Sequence, residues 1–99
     1  MASEGFHEAT DKLSPATMDM HRAISSLMEE LEAVDWYNQR VDAATDPELK
    51  AILIHNRDEE KEHAAMVMEW IRRHDSNMDH QLRKYLFKEG PIKDEKHEE

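Results

Sequence analysis

The 99-residue sequence contains no cysteine, two glycines and three prolines. Without cysteine, disulfide bonds, cysteine-type zinc sites and thiol catalysis are excluded. The scarcity of glycine and proline leaves few turn signals, which favours long helices. Apolar residues make up 38% of the chain and charged residues 36%, which is little apolar material for a monomeric core. We therefore expect one small helical domain that completes its core by oligomerising.

Basic patches and long apolar runs are also missing. A net charge of −10 argues against nucleic-acid binding, because phosphate contacts need clustered lysine or arginine. The longest apolar run, Ala64–Met68, is far short of the ~20 residues that cross a membrane. The first ten residues have neither the basic start nor the apolar centre of a signal peptide. We expect a cytoplasmic protein that binds neither nucleic acid nor membrane.

Cap and turn residues divide the chain. Ser14-Pro15 is typical of a helix start, and Asp46-Pro47 ends one helix and begins another. Asp75-Ser76-Asn77 and Glu89-Gly90-Pro91 bracket a third helix. Two long helices joined by so short a turn must form an antiparallel hairpin. The predicted organisation is a flexible arm at 1–13, an all-α domain at 14–91 with helices at about 15–44, 47–74 and 78–88, and a disordered charged tail at 92–99.

Charged residues interrupt the apolar stripes of both long helices. On the second helix, the stripe from Leu53 to Val67 passes through Glu60 and His63. On the first helix, Glu30 lies within the stripe of leucine and valine residues. Burying an ionised carboxylate costs several kcal/mol unless it is paired or binds a metal. These three residues are therefore candidate metal ligands.

Glu60 and His63 form a Glu-x-x-His pair, and di-iron carboxylate bundles combine two such pairs with two further glutamates. One chain supplies one pair and one glutamate, Glu30, so two chains are expected to build one site in a four-helix bundle. Oxygen-rich ligands with one imidazole per metal suit iron or manganese. The alternative is that these residues are polar positions at a helix edge, neutralised by Arg57, Lys61 or water.

Acidic residues of the first helix also lie beside the candidate ligands. Glu29 and Glu32 are three residues apart, with Trp36 four residues further on. They form either an outer cation-collecting site or a solvated acidic face. Tyr37 follows Glu30 by seven residues and therefore shares its face, where it is placed to support a ligand.

Another polar line lies on a displaced stripe of the second helix. His55, Glu59 and Glu62 are separated by four and three residues, so they share one side of the helix. They form either a weak surface cation site or, as we favour from the residues alone, a solvent-facing group.

Two long segments together resemble the encapsulated ferritin family. They are Met28–Tyr37 (MEELEAVDWY) and His55–Ala64 (HNRDEEKEHA), with Tyr85–Phe87 and Glu89–Ile92 also similar. The resemblance extends from about residue 21 to residue 92. It implies a ferritin-like protein whose ferroxidase centre forms between two subunits.

The resemblance also implies site roles and partners. Glu30, Glu60 and His63 of both subunits would bind two irons, with Glu60 bridging, and Fe(II) would be oxidised by dioxygen. Dimers would assemble into a ring, a decamer, in the lumen of an encapsulin shell that holds the mineral. Family members usually carry a C-terminal localisation peptide containing glycine and leucine, and Lys93–Glu99 lacks that pattern. The secondary assignments are a metal access path at Glu29, Glu32 and Trp36, and an external site for calcium or other divalent cations at His55, Glu59 and Glu62.

Other functions also fit parts of the sequence. A helical adaptor without chemistry predicts that Glu30 and Glu60 pair with arginine or lysine. A calcium or zinc buffer predicts metal binding without oxygen consumption. A di-iron enzyme acting on an organic substrate is disfavoured, because so short a chain leaves little room for a substrate pocket. We expect a ferroxidase that serves iron storage or detoxification.

Overall fold

The computed structural model describes residues 5–93 and is a helical hairpin followed by a short helix. Helix α1 spans Pro15–Ala43, α2 spans Pro47–His74 and α3 spans Ser76–Tyr85, after a 3-10 turn at Thr10–Lys12. Helix α1 packs along α2, and within the described residues α3 contacts α2 alone. The predicted all-α fold is confirmed. None of the described helices is long and apolar enough to cross a membrane.

Capping residues set the three helix starts. Ser14, Asp46 and Asp75 are the N-caps, and each side chain accepts the backbone N–H three residues later, at 3.1, 2.8 and 2.9 Å respectively. Pro15 and Pro47 occupy the first helical turn, where a missing N–H leaves no bond unmade. Residues 44–46 alone separate α1 from α2. Because this turn is short, α2 must return along α1 as an antiparallel partner.

Some helix ends differ from the sequence prediction. Helix α3 starts at Ser76 rather than at residue 78, because Asp75 alone separates it from α2. It ends at Tyr85 rather than at residue 88, because Leu86 is already extended and Phe87, with a φ of 59°, cannot continue a right-handed helix. Helix α1 ends one residue earlier than predicted, at Ala43, because the next residue is already extended.

The predicted arm and tail lie partly outside the described residues, which omit 1–4 and 94–99. The described part of the arm contacts α1. The Phe6 ring lies 4.6 Å from the His21 ring, centroid to centroid.

A single chain buries little of its apolar surface. Within residues 5–93, only Ala64 and Ile71 are buried apolar residues, at 8% and 2% exposure. Ile52 and Met66 of α2 are 53% and 60% exposed. The Cα radius of gyration is 17.4 Å, against about 13 Å for a compact domain of this length. The hairpin therefore presents apolar side chains that it cannot cover itself.

An ion-pair network fastens α3 to α2. Glu69 accepts two hydrogen bonds from Arg72, at 2.8 and 2.7 Å, and one from Arg73 at 2.6 Å. Arg72 also donates to Asp79 in the first turn of α3, and Arg83 donates to the same carboxylate at 2.9 Å. Hydrogen bonds from Arg72 and Arg73 lower the pKa of Glu69 to about 2. Those from Arg72 and Arg83 lower the pKa of Asp79.

The substitution Asp79→Asn is expected to loosen α3, because it removes the carboxylate shared by arginines of two helices. Amide hydrogen exchange should become faster in α3 and stay unchanged in α1. Asp19→Asn is the matched control, since it breaks an exposed pair with Arg22 within α1. In the wild type, Asp79 contributes to the free energy of unfolding at pH values above its ordinary pKa of 3.8. This contribution is lost as the pH falls through the lowered pKa. Equal α3 exchange in Asp79→Asn and wild type would contradict this role.

Candidate metal centre

The charged residues of the two apolar stripes converge in the middle of the hairpin. Glu30 of α1 and Glu60 and His63 of α2 each offer one ligand atom, and these atoms lie within 4.8 Å of one another. His63 Nδ1 is 3.6 Å from Glu30 Oε2 and 3.6 Å from Glu60 Oε1. Within residues 5–93, this is the one group of three or more potential ligands that meets this distance. We call it the central cluster.

The hairpin register brings these residues together. Glu30 and Glu60 are equally distant in sequence from Thr45, which lies in the turn. An antiparallel pair of helices places residues equidistant from the turn side by side. His63 joins them because residues three apart share a helix face.

The central cluster lies at the surface of the single chain rather than in a closed core. The side chains of Glu30 and Glu60 are 23% and 25% exposed, and that of His63 is 41% exposed. The sequence predicts inward-facing residues on both stripes. Two helices cannot enclose such residues, since a bundle core has helices on every side.

Within the described residues, no arginine or lysine forms an ion pair with either glutamate of the central cluster. Arg57 contacts Asp58 of its own helix at 3.2 Å, and Lys61 lies 3.9 Å from the same carboxylate. The basic side chain nearest to both cluster glutamates is the His63 imidazole, whose Nδ1 lies 3.6 Å from each. The carboxylates are therefore not neutralised by the cations that the helix-edge interpretation requires.

Crowding of the two carboxyl groups raises the pKa of Glu30. The largest cause is its hydrogen bond with Glu60, followed by burial and by the charge of Glu60, while His63 acts in the opposite direction. Two carboxylates in one site resist simultaneous ionisation unless a cation lies between them. The metal-free cluster is therefore strained by charge, and a divalent cation would relieve that strain.

The substitution Glu30→Gln is expected to stabilise the metal-free protein near neutral pH. Because the folded pKa of Glu30 is raised, the unfolding free energy falls as pH rises from its ordinary value of 4.5 through the raised value. The glutamine variant does not lose this stability. In thermal melts with a chelator from pH 4 to 7, its Tm at pH 7 should therefore be higher than that of wild type. The control Glu62→Gln, at an exposed position of α2, should not raise the Tm at pH 7. A lower Tm for Glu30→Gln at pH 7 would contradict the repulsion.

The predicted access-path residues lie outside the central cluster. Glu29 and Trp36 are exposed and Glu32 is half-buried. Tyr37 is half-buried, and the Arg40 guanidinium lies 5.2 Å from its ring centre. Within the described residues, the hydrogen bonds of the single chain do not connect Tyr37 to the central cluster.

The single chain brings together two of the three residues of the predicted external site, His55 and Glu59. His55 Nε2 lies 3.1 Å from Glu59 Oε1, and Glu59 Oε2 lies 3.9 Å from His63 Nε2. Glu62 is exposed and joins no three-ligand group within the described residues. The approach of Glu59 to His63 is absent from the sequence predictions, although their four-residue spacing on one helix signals it.

Comparisons with known proteins identify relatives over most of the chain. The sequence matches the family described as EncFtn-like over residues 5–89. A Rhodospirillum rubrum protein named encapsulated ferritin-like protein is 65% identical over 91 residues, which are 92% of this chain and 65% of that protein. The chain thus spans slightly less than two thirds of that relative's length.

A shorter sequence match and a solved structure support the same relationship. An encapsulin nanocompartment cargo protein of Myxococcus xanthus is 48% identical over 46 residues, 46% of this chain and 35% of that protein. The crystal structure of a Nitrosomonas europaea protein has a TM-score of 0.87 and 66% identity, covering 90% of this chain and 98% of that chain. Fold, sequence and family match agree, and the chain therefore belongs to the EncFtn-like family of encapsulated ferritin-like proteins.

Proposed function

We propose that two copies of the chain combine their central clusters into one di-iron ferroxidase centre. The centre takes Fe(II) as substrate and oxidises it to Fe(III) with dioxygen. The observation that carries the proposal is the central cluster itself. It holds two carboxylates and one imidazole on an open face, without an arginine or lysine partner in the described residues.

The ligand chemistry of the central cluster fits iron. Carboxylate oxygens with one imidazole suit iron or manganese, whereas structural zinc sites favour closed sets of cysteine and histidine. Glu30 and His63 would bind Fe(II), Glu60 would be shared between the two ions, and the negative charge of the two carboxylates would offset that of the cations. Each of two Fe(II) ions would give one electron to dioxygen, which takes up two protons from water and leaves as hydrogen peroxide. The chain's contribution is to hold the ions together at a fixed geometry.

The second copy supplies what one chain lacks. Three ligands in one chain leave a metal ion largely open to water, whereas the six ligands of two chains would hold two ions side by side, with the Glu60 carboxylates shared between them. The exposed Met66 follows His63 by three residues on α2, so the same contact covers apolar surface beside the cluster. The result is a homodimer with a ferritin-like four-helix bundle.

The proposal for the wider assembly rests on the family resemblance. We extend the proposal to a ring of such dimers, a decamer, inside an encapsulin shell in the cytoplasm. The names of the Rhodospirillum rubrum and Myxococcus xanthus relatives support the shell partner. The iron chemistry would then serve storage or detoxification. Glu29, Glu32 and Trp36 would collect cations on the access path, with Tyr37 behind the ligands.

The adaptor function is disfavoured by a specific feature of the structure. It requires Glu30 and Glu60 to be neutralised by arginine or lysine, and within residues 5–93 the basic side chain nearest to both is the His63 imidazole. A metal buffer has the same ligands and differs in the absence of turnover.

Oxygen uptake on addition of Fe(II) tests the proposed function. The purified protein is titrated with Fe(II) anaerobically and then mixed with aerated buffer in an oxygen electrode. We expect rapid oxygen consumption in proportion to bound iron, well above that of Fe(II) in buffer. Tight iron binding with oxygen uptake at the buffer rate would identify a metal buffer and refute the ferroxidase.

A further inference from the structure

We infer that Met66 is an oxidation site through which hydrogen peroxide controls the pairing of two chains. In the free chain the Met66 thioether is open to peroxide, and the sulfoxide that forms keeps two copies from building the shared centre. This inference rests on the proposed function and adds a redox control to the same face of the hairpin.

Met66 is the most exposed methionine of residues 5–93. Its exposure is 60%, against 40% for Met28 and 36% for Met78, and the other methionines in that range are half-buried. A thioether carries no proton, so the access of the oxidant to the sulfur governs its reactivity. Met66 is therefore the methionine that peroxide should oxidise first.

Open grooves lie on both sides of the Met66 side chain. One groove of about 510 Å³ lies between α1 and α2, with Ala23 and Ser26 on the opposite wall. A second groove of about 510 Å³ lies along the surface of α2, and Met66 lines it together with Arg73. Hydrogen peroxide is only slightly larger than water, so both grooves admit it.

The oxidant is the product that the proposed ferroxidase reaction releases. Hydrogen peroxide transfers one oxygen atom to the Met66 sulfur, so its O–O bond breaks, an S–O bond forms and water leaves with both hydrogens. The sulfur loses two electrons, and these reduce the peroxide. The reaction replaces a flexible apolar side chain by a polar sulfoxide.

The position of Met66 makes this change important for pairing. Met66 follows His63 by three residues on α2, so both side chains share the helix face that the proposed second copy would cover. A sulfoxide oxygen loses its water when that contact forms, which is unfavourable unless a hydrogen-bond donor replaces the water. A two-fold contact contains the change twice. Oxidation therefore weakens pairing and leaves the three ligands of each chain without a second set.

Pairing in turn protects the sulfur. The contact that covers Met66 also closes the grooves beside it, so the assembled centre resists the peroxide that it produces. The control therefore acts on free chains. Free chains pair when peroxide is scarce, and they stay separate when it accumulates.

Peroxide treatment followed by peptide mapping tests the inference. The metal-free full chain is treated with hydrogen peroxide at a dilution where ultracentrifugation shows monomer, and catalase then removes the peroxide. The protein is concentrated and loaded anaerobically with Fe(II). Mass spectrometry should show sulfoxide at Met66 before Met28 and Met78, and the dimer dissociation constant should rise by more than about tenfold. Oxygen uptake should fall in proportion to the oxidised fraction of Met66, and methionine sulfoxide reductases for both epimers should restore it.

Three variants identify the residue responsible. Met66→Leu removes the sulfur and keeps an apolar side chain, so its pairing and oxygen uptake should survive the same treatment. Met78→Leu is the matched control and should lose both, as wild type does. Met66→Gln places a polar amide at the same position and should weaken pairing without peroxide. Circular dichroism checks that each variant keeps its helices.

The outcomes separate this inference from the proposed function. Unchanged pairing of wild type with fully oxidised Met66 would overturn the inference and leave the ferroxidase proposal standing. Equal losses in treated Met66→Leu and treated wild type would also overturn it, because another residue would then be responsible. Absence of iron binding and oxygen uptake in untreated wild type would instead refute the proposed function.

Discussion

Replacement of His63 by alanine is expected to lower the rate of Fe(II) oxidation by at least about 100-fold. Removal of a residue that only supports a metal ligand typically costs 10- to 100-fold, and His63 supplies the one nitrogen of the central cluster. The substitution affects both irons of the proposed dimer, since each copy provides one imidazole. Stopped-flow measurement of Fe(III) formation at equal protein concentration gives the rate.

The fold should survive this change. The His63 side chain is 41% exposed, so its removal leaves little unfilled space in the hairpin. Helix content by circular dichroism should equal that of wild type. His80→Ala, at an exposed position of α3, is the matched control and should oxidise iron normally. A His63→Ala variant with the wild-type rate would mean that the cluster is not the ferroxidase centre.

The substitution Met66→Asp is expected to separate the dimer and, with it, the shared centre. Met66 is 60% exposed and follows His63 by three residues, so it lies beside the cluster on the face that the proposed second copy would cover. Burying an ionised carboxylate without a partner costs several kcal/mol. Each tenfold change in dissociation constant corresponds to about 1.4 kcal/mol, and a two-fold interface contains the change twice. The dimer dissociation constant should therefore rise by more than about 100-fold.

Analytical ultracentrifugation and iron oxidation should change together for this variant. At concentrations where wild type is associated, Met66→Asp should sediment as monomer and oxidise Fe(II) slowly although its three ligands are intact. Met78→Asp is the matched control, because Met78 is an exposed methionine of α3 away from the cluster. Retention of both dimer and activity in Met66→Asp would place the shared face elsewhere.

The elements of the fold follow closely from local signals in the sequence. Ser14, Asp46 and Asp75 are short polar residues with an oxygen acceptor, and each caps a helix where that chemistry predicts it. The register of the hairpin follows from its short turn, which brings Glu30 beside Glu60. The convergence of the central cluster could therefore be anticipated from helix geometry and residue spacing.

The remaining features depend on contacts that spacing does not fix. Helix α3 ends early because Leu86 is already extended. Phe87 beyond it is left-handed, and nothing in its residue type signals this, since such conformations favour glycine or asparagine. Arg72 links α2 to Asp79 of α3, and that contact depends on the angle between the helices. The surface position of His63 follows from the number of helices around it, which a single sequence does not show.

Native mass spectrometry of the anaerobic protein loaded with Fe(II) tests the shared centre most directly. If two copies build one centre, iron should occur in dimers and their multiples at about one iron per chain, and isolated chains should carry none. Dilution should release iron as dimers dissociate, and His63→Ala dimers should lack it. Tight binding of iron to isolated chains, or iron-free dimers beside iron-loaded monomers, would contradict a centre shared between two subunits.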